Sequence, residues 1–279
     1  MRDRKKHIAF VYEGEKTEKV LVDRMKELFF QDIADVLIFS FPACGNIYMI
    51  WNKLRENEFE IDVIDAIREI SPNAEEILEG YSPRDFSEVY LFFDYDAHND
   101  NLPQVYRNTH VVQEMLHAFD NETENGKLYI SYPMIESLRE MNTKIEDYKS
   151  LYVPIDELIH YKQYVSEEIE FQNFGCLTRE QWEAACRGSV KRAHLIVSFQ
   201  DELPTYHYFL NELTQKKIYE AQRERFVKLN HMVGVLNSLP LFLLEYFEEE
   251  FWKRVICREN EKEQPYENCN SGRLYGESR

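Results

Sequence analysis

The first half of the chain alternates short unbroken apolar runs with stretches whose apolar positions recur every three or four residues. The runs fall at residues 7–12, 36–41, 89–93 and 127–132. Runs this short, rich in Val, Ile, Phe and Tyr and bounded by Gly, Pro, Asn or Ser, read as strands buried on both faces. Between them the helical spacing is carried by Val20, Leu21, Met25, Leu28 and Phe29, by Ile47, Ile50, Trp51 and Leu54, and by Val112, Met115, Leu116 and Phe119. Four strands each followed by a helix predict an α/β fold, a doubly wound parallel sheet of about four strands over residues 1–148. Ile61, Ile64, Ile67 and Ile70 extend a helical insertion near 46–80 that delays the third strand.

From about residue 149 the alternation stops. Helical spacing predicts segments over 155–170, 179–197, 206–235 and 241–256, a mainly α-helical C-terminal region for partner docking, dimerisation or substrate binding. Trp182, Phe209, Phe247, Phe251 and Trp252 recur in it at intervals that suit a core or a docking face. Residues 258–279 are polar with few aliphatics and read as a flexible tail.

Charge changes this picture in one respect. The 279 residues carry 33 Lys and Arg against 51 Asp and Glu, a net charge of −18. Such a balance argues against broad coating of DNA but not against a local nucleic-acid site. The acid is concentrated between Glu56 and Asp100, where 14 acidic residues face only Arg68 and Arg84. Between Arg187 and His231 the balance reverses. Lys191, Arg192, Lys216, Lys217, Arg223, Arg225 and Lys228 could form a track for a phosphate backbone or an ordinary solvated helix surface. Five scattered cysteines without a Cys-x-x-Cys pair argue against a zinc knuckle or a disulfide framework. No apolar run approaches a membrane span or a signal-peptide core, so a cytoplasmic protein is expected.

The candidate chemistry lies where the strands end. Asp94 and Asp96 close the third run, and two carboxylates two residues apart on a strand point to one side. They emerge at the carboxyl edge of the sheet, where open α/β folds place their ligands. Facing carboxylates repel, so the pair calls for a proton or a hard divalent cation such as Mg²⁺. Glu13 ends the first run just before Gly14, and Glu136 follows the fourth run, which puts both on the same edge. Thr17 and Glu18 open the first helix, where a hydroxyl caps and a carboxylate complements the helix dipole. His98, in the polar loop after Asp96, is a ligand, a general acid or a solvated loop residue.

In this order, Val11-Tyr12-Glu13-Gly14, Asp94-Tyr95-Asp96 and Glu136 resemble the Toprim domain of topoisomerases, bacterial primases and OLD-type nucleases. The Glu-Gly-Glu-Lys-Thr-Glu form at 13–18 and Tyr132-Pro133-Met134-Ile135-Glu136 most resemble the stand-alone Toprim proteins of the RloB and AbiL sort. The resemblance covers roughly residues 5–145. It implies that Glu13, Asp94 and Asp96 bind Mg²⁺ or Mn²⁺, with Glu136 and Glu18 completing a second site. OLD-type nucleases place an acid four positions after the first glutamate, whereas here that position is Thr17 and the acid is Glu18. Their helper lysine has no matching position, and Lys16 is the nearest in sequence. The implied function is metal-dependent cleavage of a phosphodiester in DNA or RNA such as tRNA, by the effector of an anti-phage defence system. Because the chain has no phosphate-binding loop of its own, a separate ABC-type ATPase is the implied partner. A homodimer through the helical half would set two cleavage sites against a duplex. The alternative expectation is a catalytically weak Toprim-fold adaptor that assembles with that ATPase.

Overall fold

A computed structural model of the chain describes residues 7–14, 16–31, 33, 35–41, 47–71, 74–95, 110–141, 151–166 and 171–257. The first apolar run forms β1 (His7–Glu13), whose residues Ile8 to Tyr12 are all buried. Helix α1 (Thr17–Phe29) follows and buries Leu21, Val22, Met25 and Phe29, the face expected from their spacing. Strand β2 (Asp35–Phe41) comes next, then α2 (Ile47–Glu56), α3 (Val63–Ile70) and the short α4 (Ala74–Ile77), which together are the anticipated helical insertion. Asp62 caps α3 by accepting from the Ile64 amide at 2.7 Å. The chain then enters β3 (Phe86–Asp94), whose residues Val89 to Phe93 are buried without a break. Helix α5 (Val111–Ala118), the two-residue strand β4 (Asp120–Asn121) and β5 (Gly126–Ser131) complete the sheet.

The strand order is β2-β1-β3-β5-β4, with β4 alone antiparallel, on the outer edge. The expected parallel four-strand α/β sheet is therefore present, with a minimal antiparallel strand added. Connections from β1 run first to β2 on one side and later to β3 on the other. The boundary between β1 and β3 is thus the topological switch point, where a crevice opens at the carboxyl ends of the strands.

The later half contributes β6 (Tyr152–Pro154), α6 (Leu158–Val165), α7 (Arg179–Ser198), α8 (Tyr206–Glu212) and α9 (Gln215–Ala221). Helix α9 passes through a π turn at Gln222–Val227 into α10 (Lys228–Asn230). Strand β7 (Met232–Gly234), α11 (Leu239–Tyr246) and α12 (Glu248–Trp252) close the described chain. The continuous helix expected over 206–235 is broken. Thr205 and Thr214 each cap a new helix, and residues 232–234 pair antiparallel with β6. Helical spacing concealed that strand because a three-residue segment is too short to show a period of two. Among the described residues no helix is long and apolar enough to cross a membrane.

The helices from residue 149 onward share one core with the sheet. Helix α11 buries Leu239 to Leu244 without a break and lies against the sheet face bearing Phe10, Phe92 and Tyr129. Phe242 meets Phe10, Tyr90, Phe92 and Tyr129 at centroid distances of 4.8–5.5 Å, mostly edge to face. Edge-to-face pairs add to the burial energy of each ring. On the far side α11 packs against α7, which is itself capped by a reciprocal Thr178–Gln181 box. Truncating Phe242 removes the ring on which β1, β3 and β5 converge, and the cavity cannot close without moving the sheet. Phe242→Ala is expected to lower stability by about 3–5 kcal/mol, read as a shift of the urea unfolding midpoint.

Candidate functional site

The site begins at Gly14. Its φ of +100° belongs to the region that glycine alone enters without cost, and it turns the chain sharply from β1 towards α1. A Cβ at this position would overlap the carboxylate of Glu18, which folds back over the turn. The Glu13-Gly14 step and Glu18 are therefore one structural unit. Thr17 does not cap α1. It is the first helical residue, and the cap position falls to Lys16, which makes no side-chain capping bond. Lys16 itself is exposed.

Tyr12 pairs with Phe92 in the β1–β3 ladder, so Glu13 comes level with Phe93 and Asp94 follows one residue later at the same edge of the sheet. Asp94 in turn pairs with Ser131 of β5. Beyond it the backbone of Tyr95 donates to the carbonyls of Ser131 and Pro133 at 3.0 and 3.1 Å, which carries the pairing past the sheet edge. The Asp94 Oδ1 accepts the Ile135 amide at 2.8 Å. That bond fixes the start of a 3-10 helix, Ile135–Glu140, and brings Glu136 to the same edge. The expected helix after β5 is thus a tighter one, and Glu136 is buried in its first turn.

The C-terminal half holds this turn in place. Asn237 donates to the Ile135 carbonyl at 2.8 Å and to the Ser137 hydroxyl at 3.1 Å. The hydroxyls of Ser131 and Ser238 lie 3.0 Å apart, and Tyr132 exchanges backbone hydrogen bonds with Leu236. Residues 236–238 therefore act as a brace under the Glu136 turn.

Electrostatics show that the carboxylates feel one another. Burial pushes Asp94 well above the ordinary carboxylate range. The charges of Glu13, Glu136 and Glu18 push it further, and the Ile135 amide opposes them. Burial also raises Glu18, opposed by its own backbone amide, with Glu136 adding to the rise. The cation among them is Lys162 of α6, whose ammonium is ion-paired with Glu136. Burial would lower this lysine, but its bond to Glu136 and the charges of Glu136, Glu18 and Asp94 outweigh that and leave it raised.

Of the expected residues, Glu13, Glu18, Asp94 and Glu136 are brought together. Asp96 and His98 lie outside the described residues. Lys162 was not anticipated. It lies 26 positions after Glu136, on a helix that no strand-end pattern connects to the sheet. Asn237 was missed for the same reason. The basic residues of the helical half do not form one exposed track. Arg192 is buried and donates to the Glu140 carbonyl at 2.9 Å. Arg225 donates to the Ile196 and Val197 carbonyls and covers Phe199. Lys217 and Lys228 pair with Glu212 and Glu224.

The donor set is all oxygen, partly buried and mutually repelling, and this chemistry suits a hard divalent cation. Among the described residues, no three His, Cys, Asp or Glu side chains are arranged to hold one metal ion. Set against family models, curated proteins and solved structures, the chain matches none of them.

The repulsion at Asp94 has a measurable consequence. Its pKa is raised on folding, so its ionised form destabilises the fold at neutral pH, and the penalty fades as pH falls through that raised pKa. Asp94→Asn keeps an oxygen for the Ile135 amide and removes the charge. At pH 7 without divalent ions it is expected to gain about 1 kcal/mol, or about 2–4 °C in Tm, and to converge on the wild type towards pH 4. Added Mn²⁺ should raise the Tm of the wild type and not that of the variant.

Proposed function

We propose that the chain is a metal-dependent nuclease that hydrolyses a phosphodiester of DNA or RNA. The observation that carries the reading is the convergence of Glu13, Glu18, Asp94 and Glu136, with Lys162, on the switch point of a parallel sheet. The Toprim resemblance of the sequence supports the same reading from the order of these residues along the chain.

In this reading Glu13, Asp94 and Glu136, with Asp96 from the following segment, hold Mg²⁺ or Mn²⁺, and Glu18 lends a further oxygen. The bound cation supplies Lewis-acid stabilisation of the phosphoryl oxygens and a more acidic water. The protein's own groups do the rest. Glu13 or Glu18, whichever does not bind the cation, would accept the proton of the attacking water. The water oxygen bonds to phosphorus as the bond to the leaving oxygen breaks. Lys162 donates to an oxygen on which charge builds, which helps in a crevice whose own charge is strongly negative. As effector of an anti-phage system, the nuclease would work with a separate ATPase, a pairing that rests on the family resemblance alone.

The test is cleavage of supercoiled plasmid, single-stranded DNA and total tRNA with Mg²⁺ or Mn²⁺. The wild type is expected to cut one of these classes, and Glu13→Ala and Asp94→Ala to cut none. Lys162→Met is expected to lower kcat about 100-fold with little change in KM. A chain that cuts none of them, even with an ATPase from its own genomic neighbourhood added, would instead be the assembly adaptor.

A further inference from the structure

A second feature lies on the other side of α6. Its residues His160, Tyr161 and Tyr164 share one face of the helix, and with Tyr152 and Glu140 they line a cavity of about 570 Å³. Pro154 and Glu157 complete its rim. Tyr152 is backed by Phe226, whose ring stacks on it at 4.8 Å and 28°, so this wall is rigid. Tyr161 is buried, and its hydroxyl is bonded to the Glu140 carboxylate. Tyr164 stands 62% exposed at the mouth, with Ile159 80% exposed on the same helix. Exposed rings beside a rigid aromatic wall are costly for a surface that has nothing to cover it.

Two connections tie this cavity to the carboxylate edge. Lys162, the next residue after Tyr161, reaches Glu136. Glu136 and Glu140 lie at the two ends of one 3-10 helix, four residues apart, which at the rise of such a helix is about 8 Å. On the nuclease reading, the Glu140 wall of the cavity thus lies within one or two nucleotides of the carboxylate edge. The cavity's chemistry selects against the phosphate and for the base. The Glu140 carboxylate is held by Tyr161, whereas the exposed Glu157 at the rim repels phosphate oxygens and suits the exocyclic amino groups of adenine and cytosine, which donate to a carboxylate. The tyrosine and histidine rings offer faces on which a base stacks.

The geometry points to a stacking pocket for one unpaired nucleobase of the strand being cut. This inference rests on the nuclease reading and deepens it: the substrate is single-stranded DNA or RNA, or a loop with an extruded base. A paired base cannot enter without leaving its stack.

The test uses the full chain and oligonucleotides, as DNA and as RNA, carrying 2-aminopurine, a base whose fluorescence is quenched by stacking. Wild type without divalent ions is expected to quench the probe, and Tyr164→Ala to lose most of that quench. Because Tyr164 is exposed, its removal leaves the fold intact. In cleavage, an abasic site walked along the strand should cost about tenfold in kcat/KM at one fixed position beside the cut. Tyr164→Ala should cost the same on the intact strand and add nothing on that abasic strand. Equal quench by wild type and variant, no quench at all, or no positional effect of the abasic site would overturn the pocket while leaving the nuclease standing. Quench of the free 2-aminopurine nucleotide as strong as that of the strand would also overturn it, in favour of a mononucleotide site. Quench lost in Tyr164→Ala, in a wild type that cuts nothing, would keep the pocket and sink the nuclease.

Discussion

Like charges held together against their repulsion are the constraint around which this molecule is built. Asp94 has three acidic neighbours close enough to raise its pKa, and Glu136 is buried beside them. Such an arrangement opposes folding unless the surrounding structure enforces it. Here it is enforced by the β1–β3–β5 ladders, by the Ile135 amide on Asp94 and by the overlap-free turn at Gly14. Lys162 relieves part of the repulsion, and a divalent cation would relieve more of it.

The C-terminal half serves that edge in three ways. Helix α11 fills the sheet face with Phe242 and gives β1, β3 and β5 a common rigid backing. The segment just before it, Leu236 to Ser238, holds the turn that carries Glu136. Helix α6 then delivers Lys162 to Glu136 while its neighbouring face walls the aromatic cavity. The part of the chain with no sequence pattern of its own chemistry is therefore what completes the site.

Charge distribution fits this division. With a net charge of −18, the surface offers phosphate little general attraction. The basic residues of the helical half are spent largely on helix ends and acidic neighbours, as Arg192, Arg225 and Lys228 show. On the proposed nuclease reading, recognition of a strand would come from the edge itself and from surfaces that take the base rather than the phosphate.

By itself the sequence determined the parallel sheet, the helix faces and the strand-end positions of Glu13 and Asp94. These are local properties: a buried strand must be apolar throughout, and a residue at its end must lie at the sheet's edge. Glu136 was legible too, though not the tight helix that holds it. Lys162, Asn237 and the cavity around Tyr164 were decided only by tertiary structure. They come from segments far along the chain whose local pattern is that of any helix or loop. What brings them to the carboxylate edge is a neighbour that folding alone supplies. The strand β7 was hidden for a related reason, since its pairing with β6 is fixed by distant partners and not by any periodicity within three residues.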